Sequence, residues 1–369
     1  MTIPVWDYRR EYEVEREEIL DAVDKVFRSG RLILGNSVRE FEQGFAAYCS
    51  VAHGIGVNSG TDALFLGMRA LDIGEGDEVI TVANTAIPTV SAIVSTGATP
   101  RFVDIDPTTY LMDVSQLEAA ITPKTKCIIP VHLFGQCVDM RSLNRIAKPL
   151  GLQVMEDCAQ SHGALHHGQT AGSMSDLSAF SFYPTKLLGG YGDGGMVLTN
   201  ADALAKRLRS LRMYGTEKTY YAEEHGYNSR LDELHAEILL RKLKRLEAYI
   251  VRRRELAAVY DTKLADTGLV LPQTAPDNRH AYYLYVCRHR ARDRIIERLA
   301  TRDIMVNVSY PWPVHLMRGY AFLGGFESQL PHTEAAAKEI FSLPMYPTLT
   351  DAEQEKVCLA LREILACEL

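Results

Sequence analysis

The chain has 369 residues, 47% hydrophobic and 24% charged, enough to bury a sizeable core in one large domain and a smaller one. Its formal charge of −7 carries no long block of one sign, which argues against nucleic acid as the main partner. No apolar run reaches the roughly 18 residues of a membrane span, the charged start lacks a signal peptide's apolar centre, and seven scattered cysteines without a C-x-x-C pair read as reduced thiols, so a cytoplasmic protein without a membrane partner is expected.

Residues 12–28 predict a charged amphipathic helix, with Ile19, Val23 and Val26 near one stripe. Gly30 and Gly35 bracket a turn, and Ser37 is the expected N-cap of the next helix. His53–Val57 reads as a strand. Asn58-Ser59-Gly60-Thr61 then leads into a helix carrying Ala63, Leu64, Leu66, Met68 and Leu71. Such a small-residue turn is either an anion site or an ordinary helix start capped by Ser59 or Thr61.

Four further strands are expected at Glu78–Val82, Arg101–Ile105, Lys126–His132 and Gln153–Glu156, with helical or turn-rich segments between them. With two more near Ser181 and Val197 they form a mostly parallel α/β sheet with helices on both faces. Ligands bind beyond the carboxyl ends of such strands. Ser59-Gly60-Thr61, Asn84-Thr85, His132, Asp157, Gln160 and Lys186 are expected there. Asp157 leaves a buried strand, where a carboxylate is costly without a cationic partner.

Ala179–Tyr183 is apolar and aromatic apart from Ser181, and Pro184 ends it as a strand. Lys186 sits just past that end. Five glycines follow within Gly189–Gly195, and Met196–Thr199 reads as the next strand. A lysine on such a bend, walled by apolar residues, can act as an amine nucleophile; the plain alternative is a surface lysine in a hairpin. Residues 215–231 are polar, aromatic and irregular. Leu231 opens a long helix whose tail, Arg252-Arg253-Arg254, reads as a solvated face. A strand at Ala281–Cys287, a helix at Arg292–Ala300, a strand at Met305–Val308 and a helix at Ala352–Cys367 make up the smaller domain. The expected division is 1–245 and 246–369. His162, His166 and His167 lie within six residues, but no second cluster with ligand spacing accompanies them, and no metal is expected.

An anion-binding helix start, a strand-end aspartate and a strand-end lysine together point to pyridoxal 5′-phosphate, which needs a phosphate cradle, a carboxylate at its ring nitrogen and a lysine for its aldehyde. At this point the chain resembles the DegT/DnrJ/EryC1/StrS family of sugar aminotransferases, from about Gly30 to the C-terminus. The motifs that carry the resemblance are NSGTDAL at Asn58–Leu64, STGATPRFVDID at Ser95–Asp106, VHLFGQ at Val131–Gln136, EDCAQSHGA at Glu156–Ala164, SFYPTKLLGGYGDGG at Ser181–Gly195 and YNSRLDELHAEIL at Tyr227–Leu239.

The resemblance implies an α/β, type I aminotransferase-like fold. Its large domain holds a mostly parallel seven-stranded sheet, and a smaller C-terminal α+β domain follows. It implies that Lys186 is the Schiff-base lysine and Asp157 the partner of the pyridinium nitrogen. Gln160 would lie near the ring and its phenolic oxygen, and Gly60, Thr61 and Ser181 would cradle the phosphate. Asn228 would reach the phosphate of the other subunit of a homodimer with shared sites. Tyr183, Tyr310 and His315 would approach the substrate. That substrate would be a nucleotide-linked keto-deoxysugar, of the dTDP type, aminated at C3 with L-glutamate as donor through pyridoxamine 5′-phosphate. Amination at C4, a dehydratase of the same fold and a non-catalytic regulator are the alternatives. The dehydratase would have histidine in place of Lys186, and the regulator would have lost Lys186 or Asp157. One departure stands out: where the family stacks an aromatic residue on the cofactor ring, this chain has Ala86.

Overall fold

The computed structural model describes residues 2–218 and 220–367, so that Thr219 of the irregular segment lies outside it. Seven strands form the main sheet: β1 (His53–Val57), β2 (Glu78–Val82), β3 (Thr99–Val103), β4 (Thr125–Ile128), β5 (Gln153–Asp157), β6 (Leu177–Ser181) and β7 (Gly195–Thr199). Their spatial order is β1-β7-β6-β5-β4-β2-β3. The five strands from β3 to β6 in that order are parallel, and β7 and β1 are antiparallel to their neighbours. Every residue of β6 and β7 is buried, as expected for strands covered on both faces.

Ser59 caps the helix Gly60–Ala70 by accepting the Asp62 N–H at 3.0 Å. Ser37 does not cap the preceding helix. That helix spans Asn36–Tyr48 with Gly35 at its N-cap, and the buried Glu233 carboxylate receives the N–H groups of Gly35, Ser37 and Val38. An acid some 200 residues away thus does the work expected of a local hydroxyl. The long helix after Leu231 is two helices, Glu233–Leu243 and Leu246–Leu264.

A second core gathers Leu256, Tyr260, Tyr285, Phe341 and Leu361 with Ile3 from the other end of the chain. Ile3 pairs with Ile304 in a parallel bridge. The strand expected at Ala281–Cys287 is shorter, Tyr285–Arg288, and pairs with Ile340–Leu343. Met305–Val308 is not a strand; only Asn307 bridges, to Ser342, before the chain turns into Tyr310-Pro311-Trp312-Pro313. The arginine run is also different from expectation. Arg253 is buried, and its Nη1 donates to the carbonyls of Tyr282, Tyr283 and Met345. None of the helices among the described residues is long and apolar enough to cross a membrane.

Glu156 and Asp157 are neighbours at the end of β5, so their side chains leave opposite faces of the sheet. Glu156 is fully satisfied. One oxygen accepts His132 Nε2 and the Gly172 N–H, both at 2.8 Å, and the other accepts the Met174 N–H at 2.9 Å and the Ser175 hydroxyl at 2.7 Å. His132 Nδ1 in turn accepts the Val138 N–H, which keeps the ring proton on Nε2. Burial would raise the Glu156 carboxyl, and these bonds more than reverse it. Ligand atoms of His132, Glu156 and Cys158 lie within 4.8 Å of one another, and a hydrogen bond joins His132 to Glu156. Glu156→Gln would turn an amide against backbone N–H donors in either rotamer. It is expected to lower stability by about 3 kcal/mol, measured by urea unfolding.

Candidate active site

The carboxyl ends of the parallel strands converge on Asp157. The Asp157 carboxylate is buried and, among the described residues, accepts two hydrogen bonds: one from the Thr89 hydroxyl at 2.8 Å and one from the Ala159 N–H at 3.1 Å. Thr89 is held by Thr85 at 2.9 Å, one helical turn earlier. Burial pushes the Asp157 carboxyl up, and these bonds together with the charge of Lys186 reverse the effect only in part.

Lys186 is half-buried in a turn rather than on a strand. Its N–H donates to the Tyr183 carbonyl at 2.9 Å. The glycines that follow allow close approach: a Cβ on Gly189 would lie 2.3 Å from the Pro184 carbonyl oxygen. The Lys186 amine lies over the Tyr283 ring, 4.9 Å from its centroid. Among the described residues no carboxylate pairs with it.

The residues expected around the phosphate lie close together. A Cβ on Gly60 would lie 2.6 Å from Ser181 Cβ, so the helix start and the end of β6 touch there. With Ser59 serving Asp62, the N–H groups of Gly60 and Thr61 stand at the open end of the helix. Gln160 is buried. Its carbonyl accepts the Phe134 N–H at 2.9 Å and its amide donates to the Tyr310 hydroxyl. Phe134 and Tyr310 both have φ of +60°, and their rings stack 6.3 Å apart.

The other expected residues lie further out. Tyr183 is exposed. Asn228 is exposed, and its backbone bridges Met213, while its neighbour Ser229 is tied to Asp62 and Asn58 beside the helix start. Tyr227 packs on Phe65, whereas Tyr220 and Tyr221 are exposed. His315 is not brought into contact with Lys186 or Asp157. It is buried against Phe102, 3.3 Å from Glu334. His162 is buried among Phe45, Phe180 and Phe182, and burial, helped by the charge of Lys186, pushes it down to about 3. Two groups at the site were not expected from the sequence: Thr89 and Tyr283. The only sequence signal for Thr89 is its place four residues after Thr85 at a helix start; Tyr283 has none.

The arrangement fits pyridoxal 5′-phosphate. Gly60 lets the helix start lie against the Ser181 side chain, which a Cβ there would meet, and Asp157 is a buried carboxylate with few donors, which suits a protonated ring nitrogen.

Three comparisons bear on the chain. The profile of the DegT/DnrJ/EryC1/StrS aminotransferase family matches residues 13–362. The dTDP-3-amino-3,4,6-trideoxy-alpha-D-glucose transaminase of Micromonospora megalomicea subsp. nigra is 55% identical over 99% of both chains. The crystal structure of DesV from S. venezuelae superposes with a TM-score of 0.97 at 43% identity, covering 99% of each chain. That of NtdA from Bacillus subtilis, with bound PMP, superposes at 0.89 and 33% identity, over 95% of this chain and 82% of the other.

Because burial holds the Asp157 carboxyl above its unfolded value of 3.8, its ionisation weakens the cofactor-free fold at neutral pH, and that penalty fades as the pH falls toward about 4. Asn can accept from Ala159 and donate to Thr89. Cofactor-free Asp157→Asn is therefore expected to melt no lower than wild type at pH 7, with any gain shrinking toward pH 4, as read by calorimetry.

Proposed function

The chain belongs to the DegT/DnrJ/EryC1/StrS aminotransferase family, and from that premise we propose that it converts a dTDP-linked 3-keto-deoxysugar to the 3-amino sugar with L-glutamate as donor. It is an aminotransferase that uses pyridoxal 5′-phosphate. The observation that carries the chemistry is the buried Asp157, short of donors, with Lys186 near enough for its charge to act on it. The substrate rests on the 55% identity, over nearly the whole of both chains, to a transaminase named for a dTDP-3-amino sugar.

When bound, the cofactor supplies an aldehyde that takes up the amino group and a ring that accepts the electron pair released at the substrate carbon. In our reading Asp157 keeps the ring nitrogen protonated, which makes that acceptance possible. Thr89 fixes the carboxylate that does so. Lys186 would hold the cofactor at its aldehyde carbon and, when free, would move the proton between the substrate carbon and that cofactor carbon. Gly60, Thr61 and Ser181 hold the phosphate through N–H groups and a hydroxyl. Gln160 orients the ring at its phenolic oxygen. Tyr183 and Tyr310 line the approach of the sugar nucleotide, and His315, buried with Glu334, supports that segment from behind. Asn228 serves the phosphate site of a second copy, so that a cytoplasmic homodimer is the working unit. The exposed amide of Asn228, beside a loop tied to the helix start, supports this assignment. Retention of Lys186 and Asp157 favours this reading over a dehydratase or a regulator.

Two measurements test it. Turnover with L-glutamate across dTDP- and UDP-linked 3-keto and 4-keto sugars should favour the dTDP 3-keto substrate by at least about tenfold in kcat/KM, a difference of about 1.4 kcal/mol. Preference for a 4-keto sugar would reject the C3 assignment.

Lys186→Ala and Asn228→Asp chains should each be weak alone, the second because a carboxylate repels the phosphate. Mixed under subunit exchange, they should recover up to about half of the sites in each heterodimer. No recovery despite proven exchange would reject the shared site.

A further inference from the structure

Among the described residues the amine of Lys186 forms no ion pair with a carboxylate, and it lies instead against an aromatic ring. Its Nζ lies over the face of Tyr283, and the Tyr283 hydroxyl is 3.0 Å from the hydroxyl of Thr185, the residue just before it. Tyr283 therefore touches the Thr185-Lys186 pair twice, once with its ring and once with its hydroxyl. It is buried, and it comes from the C-terminal part of the chain, about a hundred residues away.

Its own placement is heavily constrained. The buried Arg253 donates to the carbonyls of Tyr282 and Tyr283, each at 3.2 Å. The Ala281 N–H donates to Gly135 at 2.7 Å and the Leu284 N–H to Phe134 at 3.3 Å. Gly135, at φ +112°, permits this approach, since a Cβ there would lie 2.7 Å from the Tyr283 nitrogen. The same loop gives the Phe134 N–H to Gln160. One rigid stretch thus fixes both the ring under Lys186 and the partner of Gln160.

The choice of partner has a chemical reason. An amine that must alternate between anchoring the cofactor and moving a proton cannot be locked as an ammonium by a carboxylate. An aromatic face attracts the ammonium more weakly than a carboxylate would and still fixes its position. We propose that Tyr283 is a positioning residue that holds the Lys186 amine against its ring whenever that amine is not bonded to the cofactor. This rests on the assignment of Lys186 as the cofactor lysine.

The test is pulse labelling with acetic anhydride, read at Lys186 by peptide mass spectrometry relative to the exposed Lys124. Wild type loaded with pyridoxamine 5′-phosphate, in which the lysine is free, sets the reference. Tyr283→Leu should label Lys186 about three to ten times faster relative to Lys124, whereas Tyr283→Phe, which keeps the ring, should stay within about twofold of wild type. If the Leu variant does not fold, Tyr283→Met takes its place. A leucine or methionine variant that labels like wild type overturns the inference. So does a phenylalanine variant that labels as fast as the leucine one, because the hydroxyl would then be the grip. Wild type loaded with pyridoxal 5′-phosphate should be protected at Lys186. Failure of that protection would reject Lys186 as the cofactor lysine, separately from any result at Tyr283.

Discussion

A carboxylate taken out of water at the end of a strand must be answered, and the site is built around how differently two adjacent ones are answered. Glu156 meets four donors on one side of β5 and is finished as a structural clasp. Asp157, on the other side, meets two and is left with unspent acceptor capacity. The alternation of side chains along a strand makes this division possible: one residue ties the turn at 172–175 to the sheet while the next turns to the opposite face, toward Thr89. The clasp keeps the strand end still, and the incomplete neighbour makes it chemically useful.

Much of this was legible because the information is local. Strand-end position, the glycine run and the small-residue helix start are all read within a few residues, so Lys186, Asp157 and Gly60 could be singled out as candidates from local pattern, whereas Ser181 came only with the family resemblance. Their order along the chain then made the family resemblance specific. The illegible parts depend on partners distant in sequence. Ser37 has the composition of a cap, yet Glu233 supplies the acceptor. Arg253 sits in a run that reads as solvated, yet the three carbonyls it serves are fixed only by the packing of Tyr282–Tyr283 and Met345. Met305–Val308 has strand composition, but the sheet pairs Ile340–Leu343 with Tyr285–Arg288 and leaves it one bridge.

Ala86 shows how a missing side chain shifts duties within one helix. It occupies the N-cap position of the helix Ile87–Ser95 without a capping hydrogen bond and presents only a methyl group. The same helix contributes Thr89, whose hydroxyl serves Asp157. Aromatic surface enters from elsewhere, in the stacked Phe134 and Tyr310 joined through Gln160. Both of those residues hold left-handed backbone conformations, which cost on the order of 1 kcal/mol or more each and persist only where surrounding bonds enforce them.

The bridge between Ile3 and Ile304 sets an order of events during synthesis. Ile3 leaves the ribosome about 300 residues before its partner. At roughly 5–20 residues per second, the apolar segment waits about 15 to 60 s for the surface that covers it. The sheet strands β1 to β7 are all made within that interval and can close without it. The second core cannot, because it needs both ends of the chain at once. A translation pause placed after β7 would lengthen the exposure of the segment around Ile3 without disturbing the sheet, so residues made well before the sheet are sheltered only after it.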